Sequence, residues 1–304
     1  MAMVELTGYV AHSHKGSFDR YKDLFEGWNV PCLGITVVGP FITFYGIAFL
    51  GQWHIAALTP TYSCVASACE GRDRMALCAA FRSASILLNH IHDDVKHFVE
   101  IPPESPLTDR TLPYISELPR YPSMDESQKI QFQVLRRHQK QDIRNLYIAK
   151  TSDGEEIIVK FTRQYSIKLH NFCAERGHAP TIRGFGTIPG GWYVIAMDYI
   201  SSSTSPSESL HLTCLRDKWK DDLSALVQAF HDEDLVHGDL RKPNMICNEE
   251  DILLLDFDWG GQVGEASYPC AWLNLDLTDG REDISLGITK DDDTRILQNT
   301  LANI

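Results

Sequence analysis

The first hundred residues alternate between uncharged apolar runs and one long periodic segment. Three runs of β-branched and aromatic residues, at 32–39, 41–49 and 52–58, predict three strands of a meander. Across 73–98, apolar residues recur at three- and four-residue spacing, which predicts a helix with one buried face. We therefore expect residues 1–100 to form a small sheet-plus-helix module, to which the sequence assigns no role.

The uncharged stretch 31–51 admits a second interpretation. It is long enough to cross a bilayer as a helix, which would make the chain a membrane-anchored protein. However, Gly34, Gly39, Pro40 and Gly46 break it into pieces of strand length, and its residues are not rich in leucine. We expect buried strands, and no membrane partner.

Two segments with histidines could hold a metal ion. One contains His12 and His14 near the start, and the other places His90, Asp94 and His97 on one side of the predicted helix. A polar loop and a solvated helix end account for these residues more simply. We expect no metal at either place.

Residues 101–128 contain six prolines, a composition that cannot hold a helix and that is typical of a linker or an extended arm. A second set of patterns follows it. Strands are predicted at 130–135, 146–150, 156–161, 181–186 and 192–197, and helices at 164–177, 215–231 and 291–301. We expect an α+β domain over 129–304.

Composition narrows the possible partners and compartment. The 304 residues carry a net charge of −13, which argues against nucleic acid, because its binders usually present a basic patch. The eight cysteines form no CxxC pair, so we expect no zinc site. Several lie in apolar runs, where a reduced core thiol is the simplest role, so we expect a cytoplasmic or otherwise intracellular location. The first ten residues lack a basic region followed by an apolar one, so we expect no signal peptide.

The stretch 235–261, LVHGDLRKPNMICNEEDILLLDFDWGG, carries the chemistry. Two acidic loops, HGDLRKPN and DFDWGG, flank two short predicted strands and a polar turn. Folding that hairpin brings Asn244 and Asp256 together at one end, and their oxygens suit magnesium. Asp239 can then face an attacking hydroxyl. A solvated acidic hairpin is the simpler alternative, but it has no need for the apolar run 252–255 before Asp256.

These two loops, in this order, resemble the catalytic and metal-binding loops of the protein-kinase-like superfamily. Together with the run from Tyr165 through Pro180, they look most like the compact fungal-type kinase-like proteins. The resemblance covers about 129–304. It implies a two-lobed fold with a short C-lobe: N-lobe 129–197, hinge 198–200 and C-lobe 201–304.

The resemblance also implies roles for particular residues. Asp239 would receive the hydroxyl proton, Arg241 would touch the transferred phosphate, and His237 would brace the loop. Asn244 and Asp256 would hold Mg²⁺. The nucleotide would be bound by the lysine that ends EIIVK, by its acidic partner and by the hinge: Lys160, Glu175, Met197, Asp198 and Tyr199.

The sequence departs from the superfamily pattern in several places. No G-x-G-x-x-G precedes Lys160; the corresponding turn, 138–142, reads HQKQD, and it cannot approach phosphates by bare backbone as glycine does. His170 occupies the middle of the helix that should supply the partner of Lys160. Past Asp256 there is no A-P-E, and we expect too few residues for a full peptide-binding lobe.

The sequence supports two functions. The first is an ATP- and Mg²⁺-dependent phosphotransferase acting on a hydroxyl acceptor, either a protein serine or threonine or a small molecule. The second is a pseudokinase that binds nucleotide or serves as a scaffold. The intact Lys160, Asp239, Asn244 and Asp256 favour the enzyme, and the missing glycine loop favours the pseudokinase.

Overall fold

The structure is a computed structural model of the chain. It describes residues 5–6, 8–10, 12, 31–49, 53–100, 112–123, 125, 127–138, 145–188, 191–201, 215–248, 251–269, 273–281 and 285–302. The chain divides into two compact units, residues 1–114 with 139–143 and residues 115–138 with 144–304. His14, the first half of the expected linker (101–111) and most of the HQKQD turn lie outside the described residues.

The first unit is an antiparallel sheet with helices. Its elements are β1 (Cys32–Val38), β2 (Phe41–Phe49), β3 (Trp53–Ala57), β4 (Tyr62–Ser63), α1 (Cys64–Cys69) and α2 (Gly71–Glu100). The sheet order is β1-β2-β3, and β4 also pairs with β2. Phe44 of β2 is 1% exposed and packs against Ala80 and Ala84 of α2. The predicted sheet and helix are therefore confirmed.

Two expectations about this unit need comment. Within the described residues 31–49, this stretch forms strands β1 and β2, so the helical membrane anchor is wrong there. Within the described ranges, none of the helices combines the length and apolar character needed to cross a membrane. The predicted apolar face of α2 is only partly buried, because the short sheet covers Ala80 and Ala84 while Phe81 and Leu88 stay exposed.

The second unit begins with a six-stranded antiparallel sheet. Its strands are β5 (Glu117–Pro119), β6 (Lys129–Arg137), β7 (Leu146–Thr151), β8 (Glu156–Thr162), β9 (Ile182–Ile188) and β10 (Trp192–Asp198). They are ordered β5-β6-β7-β8-β10-β9. β6 alternates as a half-buried strand should, with Ile130, Phe132 and Val134 buried between exposed polar residues.

Strand β5 lies inside the stretch that we expected to be linker. It pairs with β6 on one side, and Arg120 just beyond it bridges to Gly184 of β9 on the other. The approach is close, since a Cβ on Gly184 would lie 3.1 Å from the Pro119 carbonyl oxygen and one on Gly186 3.1 Å from Leu118 Cδ2. Leu118 is 3% exposed. This part of the expected linker therefore belongs to the second unit, and its prolines are accommodated at the end of a short strand.

The rest of the second unit is mainly helical. Its elements are α3 (Ile167–Glu175), α4 (Arg216–Asp232), β11 (Leu235–Val236), a 3₁₀ turn (Lys242–Asn244), β12 (Met245–Asn248), β13 (Asp251–Leu254), β14 (Gly261–Gln262), α5 (Leu275–Thr278) and α6 (Lys290–Leu301). α4 buries Trp219, Leu223 and Phe230 completely against the β12–β13 hairpin, which includes Leu254. Each such side chain stabilises the fold by about 1.5–3 kcal/mol. The predicted α+β class is confirmed, with a sheet-rich part followed by a helical part.

Candidate functional site

The predicted hairpin is present and has the expected consequence. β12 and β13 pair from Met245 opposite Leu254 to Asn248 opposite Asp251. At its open end, Leu255 N–H donates to the Asn244 carbonyl at 2.8 Å, which sets Asn244 beside the loop that starts at Asp256. The apolar run before Asp256 is buried, as expected of a strand in a core.

The loop before the hairpin is held by its own side chains. His237 is fully buried, and its Nε2 lies 3.2 Å from the Leu255 carbonyl oxygen. Its Nδ1 accepts a hydrogen bond of 3.2 Å from Asp239 N–H. With both ring nitrogens engaged by backbone, His237 joins the two loops. That contact agrees with a bracing residue and not with a reacting one.

Asp239 is 7% exposed and is paired with Arg241. Arg241 Nε donates to Asp239 Oδ1 at 2.5 Å and Arg241 Nη2 donates to Oδ2 at 2.9 Å. Asp239 holds the pKa of Arg241 above its usual value, through these hydrogen bonds and its charge. The fork holds the Asp239 carboxylate in one orientation, because a bidentate guanidinium fixes carboxylate geometry. Asn244 Nδ2 donates to the Asp239 carbonyl at 3.1 Å, so the amide oxygen of Asn244 is left to act as an acceptor.

Asp293 also holds this loop in place, a role that the sequence analysis did not predict. This carboxylate is fully buried at the start of α6. It accepts hydrogen bonds of 2.7 Å from His237 N–H and from Gly238 N–H. The neighbouring Asp292 forms a capping box with Thr289 instead.

Lys160 meets two carboxylates. It is 5% exposed on β8, and its Nζ lies 2.5 Å from Asp256 Oδ1 and 2.5 Å from Asp258 Oδ1. Burial alone would lower the pKa of Lys160, but the two negative charges raise it above its usual value. Thr162, two residues along β8, donates to Asp258 Oδ2 at 3.0 Å. The resemblance assigned Lys160 to the nucleotide and Asp256 to the metal, and it gave no role to Asp258.

The expected pairing of Glu175 with Lys160 is not what the structure shows. Glu175 is the last residue of α3, is exposed, and accepts a hydrogen bond of 2.7 Å from Asn171 Nδ2. α3 starts later and ends earlier than predicted, which places its only acid at a solvated end. Glu175 therefore does not belong to the group around Lys160.

His170 occupies the inner face of α3 instead. It is fully buried, and burial lowers its pKa to about 3, so the ring is neutral. Its Nε2 lies 2.8 Å from the Pro180 carbonyl, which can only accept, so Nδ1 accepts from the Tyr165 hydroxyl at 2.6 Å. Lys160 Nζ lies 5.5 Å from the centroid of the Tyr165 ring. The aromatic ring near Lys160 therefore comes from Tyr165, just before α3, and the buried polar residue of α3 itself is a neutral histidine and not an acid.

Asp256 has an unusual backbone. Its φ is +64°, in the left-handed region that a non-glycine residue rarely adopts. The next residue, Phe257, anchors the conformation: its ring stacks on His170 with centroids 4.5 Å apart, and its carbonyl accepts from Ser166 N–H at 2.9 Å. The strained residue is thereby held where its carboxylate meets Lys160.

A cleft of about 150 Å³ opens beside these groups. Its wall is mostly apolar, and Lys160, Asp198 and Asp256 are the acidic and basic residues that the lining contributes. The hinge residues that we expected to bind a nucleotide all line it: Met197, Asp198 and Tyr199. The Asp198 carboxylate turns toward Arg183, whose Nε donates to it at 2.5 Å, and Asp198 N–H donates to the Thr181 carbonyl at 3.0 Å. The other lining residues are His138, Leu146, Ile158, Tyr165, Pro180, Ile200, Ile246, Leu255 and Phe257.

The residues can be tested for a fit to a metal ion. Asn244 and Asp256 offer an amide oxygen and a carboxylate, a donor pair that suits magnesium with waters and phosphate oxygens completing its shell. In the part of the chain that the structure describes, no three His, Cys, Asp or Glu side chains cluster as a metal site. The two residues therefore suit a hard cation whose remaining ligands come from a bound phosphate and from water, rather than a cation that the protein alone surrounds.

Comparison with known proteins gives matches only among solved structures. No protein-family model matches the chain, and no curated protein matches it significantly. The kinase PK-1 of Cydia pomonella granulovirus is similar at 14% identity and a TM-score of 0.46, with 57% of this chain and 70% of that chain covered. Vaccinia related kinase 3 is similar at 13% identity and a TM-score of 0.43, with 63% and 68% covered.

Proposed function

We propose that this chain is an ATP- and Mg²⁺-dependent phosphotransferase with a protein-kinase-like fold of the compact fungal type. One observation carries the proposal. Lys160 of β8 contacts Asp256 across 96 residues of sequence, and the hairpin sets Asp256 beside the loop that carries Asp239 and Asn244. A fold that needed these residues only for stability would have no reason to bury a lysine against two carboxylates beside a cleft.

The nucleotide binds in the cleft. The apolar side chains that line the cleft, among them Ile158 and Leu255, would hold the adenine, and the backbone of hinge 198–200 would offer it hydrogen bonds. Lys160, at the inner end of the cleft, binds phosphate oxygens. Its raised pKa keeps it protonated, so it offers a full positive charge at neutral pH.

Asn244 and Asp256 would hold magnesium, and phosphate oxygens would complete its shell. It would supply positive charge next to the transferred group, which is the main catalytic need of phosphoryl transfer. The orientation of the Asn244 amide supports this assignment, because its nitrogen already donates to the Asp239 carbonyl and its oxygen remains for a cation.

Asp239 receives the proton of the acceptor hydroxyl. Arg241 holds the Asp239 carboxylate in position and can also contact the transferred phosphate. His237, Gly238 and Asp293 keep the loop in place through backbone hydrogen bonds, so little rearrangement is needed at the moment of reaction. The acceptor is a hydroxyl of a protein serine or threonine or of a small molecule.

A pseudokinase is the second candidate, and one observation favours it. The turn after β6 begins at His138 and contains no glycine before β7, so it lacks the bare backbone that covers phosphates in kinases. His138 itself lines the cleft. Such a chain would bind nucleotide but transfer phosphate slowly.

Comparing two carboxylates separates these functions. Asp256→Asn should lose Mg²⁺-dependent ATP binding together with turnover. Asp239→Asn should still bind MgATP but lose about 10²–10⁴-fold in turnover, the usual value of general acid–base assistance. Asp251→Asn, an exposed carboxylate in the hairpin turn, is the matched control and should behave as wild type.

Binding is measured by calorimetry and turnover by ATP consumption. Wild type that binds MgATP but consumes it no faster than Asp239→Asn supports the pseudokinase. If Asp239→Asn loses binding as fully as Asp256→Asn, the division of roles between the two loops is wrong.

A further inference from the structure

Lys160 has two carboxylate partners, while the proposed metal site needs one of them. Asp256 and Asp258 each approach its Nζ to 2.5 Å. Once Asp256 binds a cation, its charge is shared and Lys160 must keep a partner to stay in place. We propose that Asp258 is the positioning residue for Lys160. From the loop 256–261, its carboxylate would hold the lysine in place as the ion-pair partner that the resemblance led us to expect on α3. This inference rests on the proposed nucleotide site.

The helix cannot supply that acid. Its only carboxylate, Glu175, is exposed at the helix end and bonded to Asn171. The inward position is taken by His170, which is neutral and whose two ring nitrogens are both engaged. A buried lysine without an ionised partner is costly, since an uncompensated buried charge destabilises a fold by several kcal/mol. The partner must therefore come from another element.

Strand geometry explains why Asp258 reaches Lys160. Residues two apart on a strand point to the same face, so Lys160 and Thr162 of β8 project together. Both contact Asp258: Lys160 Nζ lies near Oδ1, and the Thr162 hydroxyl donates to Oδ2 at 3.0 Å. Oδ1 thus makes an ion pair with β8 and Oδ2 accepts a hydrogen bond from it. This two-point attachment fixes Asp258 independently of any metal ion.

The two carboxylates therefore divide the work. Asp256 sits on a strained backbone at φ +64° next to Asn244, where an oxygen pair can bind a cation. Asp258 is turned to β8 by Thr162. Occupation of the metal site then leaves the lysine aimed into the cleft, so nucleotide and metal can bind together without displacing it.

A pair of double-mutant cycles tests the proposal in the full chain. The variants are Asp258→Asn, Lys160→Met and the double variant, with Glu175→Gln as the matched control. In the first cycle, the MgATP dissociation constant is measured by calorimetry. Asp258→Asn should weaken binding about tenfold, the loss of about 1.4 kcal/mol. It should have no further effect in the Lys160→Met background, and Glu175→Gln should leave affinity unchanged.

The second cycle needs no nucleotide. The changes in urea midpoint caused by Asp258→Asn and Lys160→Met should not add up to the change in the double variant, because substitutions at directly paired residues are coupled while those at distant residues are additive. Equal weakening of MgATP binding by Asp258→Asn in both backgrounds would overturn the proposal, since Asp258 would then act as a metal ligand or as a purely structural group. Additive urea midpoints would overturn it as well.

The outcomes also keep this inference apart from the proposed function. A wild-type chain that binds no MgATP overturns the proposed function, and with it any positioning role, even where the urea midpoints couple. A wild-type chain that binds MgATP, with no effect of Asp258→Asn, overturns this inference alone. Weaker MgATP binding in Glu175→Gln would indicate that Glu175, and not Asp258, positions Lys160.

Discussion

Removing the carboxylate of Asp293 should destabilise the second unit severely. The side chain is fully buried and accepts two hydrogen bonds of 2.7 Å from backbone N–H groups of His237 and Gly238. A third contact, from His231 Nε2, lies at 3.3 Å. Asp293→Ala leaves both N–H groups buried and without an acceptor in a loop that cannot reach water.

The magnitude follows from the number of bonds. Hydrogen bonds to a charged group are worth about 1.5–3 kcal/mol each, so the two shorter bonds give a loss of about 3–6 kcal/mol. That is a large share of the roughly 5–15 kcal/mol that stabilises a typical domain. Asp293→Asn keeps one acceptor oxygen and should lose about half as much.

Asp291→Ala provides the control. Asp291 lies two residues away in the same first turn of α6 but is exposed, so its loss should cost only the dipole interaction, about 0.3–1 kcal/mol. Urea unfolding is followed by tryptophan fluorescence, to which buried Trp219 contributes. Loss of stability in Asp293→Ala and Asp293→Asn no greater than in Asp291→Ala would refute the assignment of Asp293 to the loop.

Three further predictions concern the fold. Gly184→Ala should lower the free energy of unfolding in urea by about 1–3 kcal/mol, because its Cβ would lie 2.8 Å from a side chain of β6. Gly287→Ala, whose Cβ has room, is the control and should lower it little. Equal losses in the two variants would contradict the tight approach of β5. A fragment starting at Ile115 should unfold cooperatively and bind ligand as the full chain does, whereas one starting at Lys129 lacks β5 and should be less stable; equal stability would remove β5 from the unit. The pKa of His170 is lowered from 6.5 to about 3 by burial. The neutral ring therefore contributes fully to the free energy of unfolding above pH 6.5, and that contribution falls by about 1.4 kcal/mol per pH unit as the pH drops toward 3. His170→Gln should therefore lose about 2 kcal/mol less stability than wild type between pH 6.5 and 5, and a parallel loss would show that His170 takes up protons in the folded state.

Local patterns predicted most of the second unit. The alternation of β6, the apolar face of α4 and the turn of the hairpin each depend on residues close in sequence. The position of Asn244 next to Asp256 followed from the hairpin alone. Lys160 was identified by its strand and by the resemblance, and the structure brings it to Asp256.

Contacts between residues far apart in the sequence could not be predicted from local patterns. Asp258 meets β8 across 96 residues and Asp293 meets Gly238 across 55, and no local period marks either contact. The one available signal was the second acid of DFD, which follows a buried apolar run. Glu175 was misplaced because the helix proved shorter than its pattern, and β5 was missed because its prolines suggested a linker.

The most direct test of the central claim is a calorimetric titration of ATP into the full chain with and without Mg²⁺. We expect saturable binding that depends on Mg²⁺. Lys160→Met should weaken it about 10–100-fold, because a charge-assisted bond to phosphate is worth about 1.5–3 kcal/mol. Absence of ATP binding in both conditions, or equal affinity of wild type and a well-folded Lys160→Met protein, would contradict a nucleotide site built around Lys160 and Asp256.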